Sequence, residues 1–237
     1  MPRASSIMVA MLMLWASAAH SELRLTWNSC SGDGGIPNIE ASCAVATPHD
    51  LIATFQVPSD LESFVALNAV IDLDVESGAN NFPFWHLEAG GCNEGGVILF
   101  SDTATVLGTC RVKNPWVNPG GGGSGLTVVR LGNVLRLGLQ VARSVSSPIR
   151  LQAGTEYYGF HLRFSSARSD AAGGSCAGCE QKVAMVWNRA EVIDLFAGTV
   201  QLIGSYPCAT WNSASAAMCF ATPTRISTWG ELKVMYR

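Results

Sequence analysis

The 237-residue chain carries 15 basic and 18 acidic side chains, a formal net charge of −3, and this balance offers no basic face to nucleic acid. At 48% hydrophobic residues it falls outside the disordered class. Only 14% of residues are charged and 24 are glycine, which suits a turn-rich β-protein better than a helical one.

Residues 1–21 read as a secretory signal peptide: Arg3, an apolar run from Ile7 to Trp15, then small residues, with cleavage expected between Ala18 and Ser21. The apolar run is too short for a membrane helix, and no later stretch is long and apolar enough to span a bilayer. The mature chain, 22–237, is therefore expected to be exported to the periplasm or the medium, with no membrane span after cleavage.

From there the chain is a succession of short strands. "LRLTW" and "HDLIATFQV" come first, the latter with Leu51, Ala53, Phe55 and Val57 on one face. In "NAVIDLDVE", Ile71, Leu73 and Val75 alternate with Asp72, Asp74 and Glu76, predicting one apolar and one acidic face. "GGVILF" and "LTVVRL" follow, and "NVLRLGLQVA" places Leu135, Leu137, Leu139 and Val141 together. "EYYGFHLRF" places Tyr158, Phe160, Leu162 and Phe164 on one face, with Tyr157, His161 and Arg163 on the other. "EQKVAMVWN" suits a strand or a helix, and "GTVQLIG" is a further strand. Thr228 and Glu231 have capping-box spacing, so a short C-terminal helix is expected although Gly230 weakens it. The sum is an all-β fold, an antiparallel β-sandwich of jelly-roll or immunoglobulin-like type. "NPWVNPGGGGSG", 114–125, is expected to be a loop within one domain; the alternative is a linker between two small β-domains.

All eight cysteines lie after residue 21, and an even count in an exported chain predicts disulfides. Closeness in sequence suggests Cys30 with Cys43, Cys92 with Cys110, Cys176 with Cys179, and Cys208 with Cys219. The Cys176–Cys179 pair could also be a redox or zinc motif. It has no βαβ rhythm around it and no second close Cys or His pair, which favours a structural clasp.

Chemistry-bearing patterns are sparse. The run Gly120–Gly125 matches G-x-G-x-x-G, but Leu126 stands where a phosphate loop needs lysine, and "NPWVNP" precedes it instead of a strand. "DLDVESG" imitates a calcium loop, yet Ser77 and Pro83 occupy the positions that require glycine and glutamate. No cofactor is expected, with calcium on the acidic strand face as the alternative considered. The sequence contains neither H-E-x-x-H nor G-x-S-x-G, and carboxylate pairs suited to glycoside hydrolysis can arise by chance among 18 acids. Trp85, His86 and Trp116 lie in turn-rich stretches near cysteines, where open indoles could stack on sugar rings. The competing possibility is that a tryptophan beside a disulfide covers it.

"TEYYGFHLRFSSA", "GGSCAGCEQKVAMVWN" and the ending "STWGELKVMYR" resemble an uncharacterised group of exported bacterial proteins, with "LTWNSC" similar to that group's start. The resemblance implies bacterial export and a whole-chain unit, and carries no catalytic residue. The function expected is a non-enzymatic binding or structural module outside the cytoplasm. Its ligand would be a glycan or protein, taken at Trp85, His86 and Trp116. The alternatives are a secreted polysaccharide hydrolase and a cell-surface structural component.

Overall fold

A computed structural model describes residues 21–76, 82–117, 122–202, 207–212 and 219. The expected signal peptide and C-terminal helix lie outside them, apart from Ser21. Twelve strands are described: β1 Glu22–Trp27, β2 Asn38–Ile39, β3 Pro48–Gln56, β4 Leu61–Val75, β5 Val97–Phe100, β6 Gly122–Leu131, β7 Val134–Arg143, β8 Ile149–Leu151, β9 Glu156–Ser165, β10 Val183–Asp194, β11 Gly198–Gln201 and β12 Cys208–Trp211. They form a β-sandwich. One sheet has the order β1-β3-β9-β5; the other runs β2-β12-β10-β4-β7-β6, with β11 beside β10 and β8 beside β4. Pairing is antiparallel except between β12 and β2. Strands from before and after 114–125 are ladder partners in both sheets, as in β3 with β9 and β4 with β7.

Period-two alternation accounts for the core. Ile71, Leu73 and Val75 of β4 and Leu135, Leu137, Leu139 and Val141 of β7 are all buried, and stand opposite one another across the ladder. One expectation is refined and one corrected here. The acidic face of β4 is not free of partners: Asp72 is buried, and the Arg136 guanidinium on β7 directly opposite grips its carboxylate at 2.7 and 2.8 Å. Tyr158 does not share a face with Phe160, because the register slips by one residue at Gly159, and a one-residue bulge turns the chain over. Glycine fits closely at position 159, where a β-carbon would lie 3.0 Å from Leu67 Cδ2 and 3.1 Å from the Ala53 carbonyl, a tight fit that the neighbours would have to ease.

The ambiguous stretch after Cys179 is strand β10, the partner of β4, β11 and β12. The glycine run expected to be a loop is strand from Gly122 onward, paired in register with the end of β7. Three of the four expected disulfides are also corrected: the bridges are Cys30–Cys110, Cys43–Cys179 and Cys92–Cys176, and only Cys208–Cys219 joins the expected residues. Sequence proximity fails because adjacent loops at one end of a sandwich belong to strands far apart in the chain. Cys176 and Cys179 clasp two different loops rather than each other.

Candidate functional site

Trp85 closes a single 3-10 turn, Pro83–Trp85. The loop behind it is tied to the far half of the chain by Cys92–Cys176 and by the Phe84 N–H on the Ala177 carbonyl. The indole is fully buried, donates to the Gly178 carbonyl at 3.0 Å, and meets Trp211 edge-to-face at 5.6 Å. Trp116 is also buried; its N–H donates to the Gly159 carbonyl at 2.7 Å, and its ring lies 5.3 Å from Phe64. Both indoles are thus spent on the core rather than standing out from the surface, although Trp116 also borders a cavity. His86 is partly exposed, 3.8 Å from a Glu88 carboxylate that Arg130 holds at 2.8 and 2.9 Å.

These residues do not converge. Arg130, near the end of β6, donates to the Trp85 carbonyl, whereas Trp116 lines a cavity at the start of β6. Strand β6 separates them.

The bulge at Gly159 brings Tyr158, His161 and Arg163 to the outer face of the four-stranded sheet, where Asp50 meets them. Arg163 binds both Asp50 oxygens, at 2.7 and 2.9 Å, and the Leu107 N–H adds a third bond at 2.7 Å. His161 Nδ1 lies 2.8 Å from the Tyr158 hydroxyl, and its ring stacks on Phe100 at 4.8 Å. Its Nε2 has no hydrogen-bond partner and sits 3.8 Å from Asp50. Burial pushes His161 down to about 4, against the pull of Asp50, and pushes the Tyr158 phenol up. The segment after β5 seals the group: Thr105 accepts from Arg163, and Cys110 is bridged to Cys30. Asp50, Tyr158 and His161 are all buried; the network braces the segment over the sheet. Among the described residues no set of three metal-ligating side chains converges, the acidic face of β4 included.

The accessible feature is the corner where β6 begins. Strand β6 is paired along one side by β7, and among the described residues its other side has no ladder partner. Gly122, Gly123, Ser124, Gly125 and Thr127 are exposed. Beside them opens a cavity of about 340 Å³ lined by Ser101, Trp116, Gly122, Ser124 and Arg143. Arg143 continues the inward series of β7 beyond Val141, opposite Gly122. It is buried, donates to the Ser147 carbonyl at 2.6 Å and to the Pro115 carbonyl. Burial pushes the guanidinium down. The signal for it was present in "LRLGLQVAR": alternation carried one step further puts an arginine at an inward position. A second open cavity of about 450 Å³ lies by Lys113, Pro115, Arg150 and Gln152. Its cations are already engaged, Lys113 by Gln152 and Arg150 by Asp60.

No family model matches the chain, and no curated protein matches it. Solved structures do. A cohesin module of a Clostridium perfringens family 33 glycoside hydrolase is 7% identical with a TM-score of 0.34, over 81% of this chain and 91% of that one. A type I cohesin–dockerin complex from Clostridium thermocellum gives 6% and 0.34, over 81% and 93%. A type II cohesin domain from the cellulosome of Acetivibrio cellulolyticus gives 9% and 0.32, over 86% and 99%. At these identities no residue correspondence is drawn. Among the described residues no helix is long and apolar enough to cross a membrane.

Proposed function

We propose that the chain is an exported, non-enzymatic binding module that takes an extended segment of a protein partner along the free edge of β6. The carrying observation is the edge itself. β6 is ten residues long, uncharged from Gly122 to Val129, free of proline, and in unbroken register with β7. Natural sheets blunt such edges with lysine, proline, bulges or a covering element, because an open row of backbone donors and acceptors invites another strand. β6 carries no lysine, proline or bulge, and among the described residues no strand pairs with its outer side, which favours strand addition, in which backbone bonds supply affinity and alternate side chains supply selectivity. Four disulfides support an oxidising, extracytoplasmic setting. A glycan partner at Trp85 and Trp116 has no such support, since both indoles are buried.

The test is to select peptides from a random 12-residue display library on the mature protein, then map them by amide chemical shifts. Selected peptides should move β6 amides. Gly123→Lys with Gly125→Lys adds charge to the edge where nothing lies within 4 Å of a new β-carbon; it should weaken binding at least about tenfold at unchanged melting temperature. Peptides that shift residues elsewhere, a library that yields no binder, or lysine variants that bind normally would each refute the proposal.

A further inference from the structure

We infer that Arg143 is a recognition site for a carboxylate on the segment that pairs with β6. The inference rests on the strand-addition reading and deepens it. Arg143 is buried as a residue, yet none of its nitrogens is both buried and unpartnered, so the donors it does not spend on the protein open onto the cavity. Arg143 has five N–H donors to place; two go to the carbonyls of Ser147 and Pro115, and among the described residues no carboxylate forms an ion pair with it. The downward push on the guanidinium has burial as its one cause, with no opposing pull from an acid.

The other buried or half-buried arginines are unlike it. Asp72 binds Arg136, Asp50 binds Arg163, and Glu88 binds Arg130, each through two bonds. Arg143 lines an open cavity of about 340 Å³ that also holds Ser101 and Ser124. Charge-assisted bonds from arginine to carboxylate are short, bidentate and among the stronger hydrogen bonds in proteins, so an acid placed here gains the full benefit of a preformed donor.

The geometry also selects the carrier. Gly122 stands directly opposite Arg143 in the ladder. A strand added outside β6 therefore reaches this cavity with every second side chain. Self-pairing does not supply the acid, because Gly122–Leu131 contains no Asp or Glu. The partner is accordingly a different, acid-bearing extended segment.

Two peptides test this, acetyl-Thr-Val-Glu-Val-Thr-amide and its Gln counterpart, with sodium acetate as a third probe. Binding is read from β6 amide shifts and from the Arg143 Nε–H resonance. The Glu peptide should bind about tenfold or more tighter than the Gln peptide, as expected for a charge-assisted bond over a neutral one. It should also move the Nε–H. Arg143→Gln should erase the difference. Since that change could harm folding, Ser124→Asp is the second variant: at an exposed position on the cavity wall, it supplies an internal acid and should erase the difference too. Equal binding of both peptides at β6 overturns the carboxylate site and leaves strand addition standing. Failure of either peptide to move β6 amides overturns both. Acetate moving the Nε–H while neither peptide reaches β6 overturns the peptide as carrier.

Discussion

His161 provides a quantitative test of the sealed network. Its ring is fully buried between Phe100 and the Tyr158 hydroxyl, and faces an Asp50 carboxylate already neutralised by Arg163. Protonation would bury a charge whose natural partner is taken, so the folded ring titrates at about 4, whereas an unfolded histidine titrates near 6.5. Between those values the unfolded chain binds the proton and the folded chain does not. The neutral ring's contribution is thus fully present above about pH 6.5 and is lost as the pH falls towards 4. The linkage relation gives a loss of about 2 kcal/mol from pH 7 to pH 5, and about 3 kcal/mol by pH 4. Urea unfolding of wild type and His161→Gln from pH 7.5 to 4.5 measures it: the wild-type curve should fall more steeply by about that amount. The paired variant is needed because burial also pushes His49 down, adding a slope of the same sign. A His161 ring resonance with its midpoint at or above 6.5, or identical pH slopes in the two proteins, would refute the account.

Trp116→Ala should cost about 3–5 kcal/mol of stability by emptying a buried site and orphaning the Gly159 carbonyl, read by chemical denaturation. A stable variant that had lost only sugar binding would contradict it. Asp194 accepts from the Ser63, Phe196 and Ala197 N–H groups, which together hold its carboxyl low against burial. Asp194→Ala should destabilise by a few kcal/mol and speed amide exchange at Phe196 and Ala197; unchanged exchange would refute that. Peptide mapping without reduction should recover the pairs Cys43–Cys179 and Cys92–Cys176. Removing the first, whose partners are 136 positions apart in sequence, should cost about 4–5 kcal/mol in the loop-closure model.

Where the physics is local, the sequence was legible. Alternation and short apolar runs marked β1, β3, β7, β9 and much of β4, and the faces named on β3, β4 and β7, and on β9 outside the bulge, are buried. Where an outcome depends on two distant segments meeting, it was not. Trp85 beside Cys92 looks the same in sequence whether the indole is open or covered; what decides is Cys176 arriving from beyond β9 and bringing the Gly178 carbonyl onto the indole N–H. Tyr158 failed for a different reason. The inverted face follows from one extra residue opposite Thr54 and Ala53, and a glycine within a strand signals a bulge without saying which neighbours it turns over. Arg143 could have been found, since it continues a readable alternation, but its lack of an acidic partner is a property of the folded neighbourhood.

The two ends of the sandwich are held by different means, and this bears on where a partner can bind. Two bridges, Cys43–Cys179 and Cys92–Cys176, join loops at one end, before β3 and β5 and between β9 and β10, and the third ties the loop after β1 to the segment that follows β5. Those loops are long, and cross-links that close long stretches restrict the unfolded chain most. At the other end the connections from β3 to β4, β8 to β9 and β10 to β11 are short turns, held by local bonds such as those of Asp60 to Ala153 and Asp194 to Phe196. The start of β6 and Arg143 belong to this second end, opposite the start of β4. Staples are therefore concentrated where loops need ordering, while the edge of β6 that has no ladder partner among the described residues, and Arg143, sit on regular ladder in unbroken register. Binding there spends little on ordering the protein, leaving more of the interaction to appear as affinity.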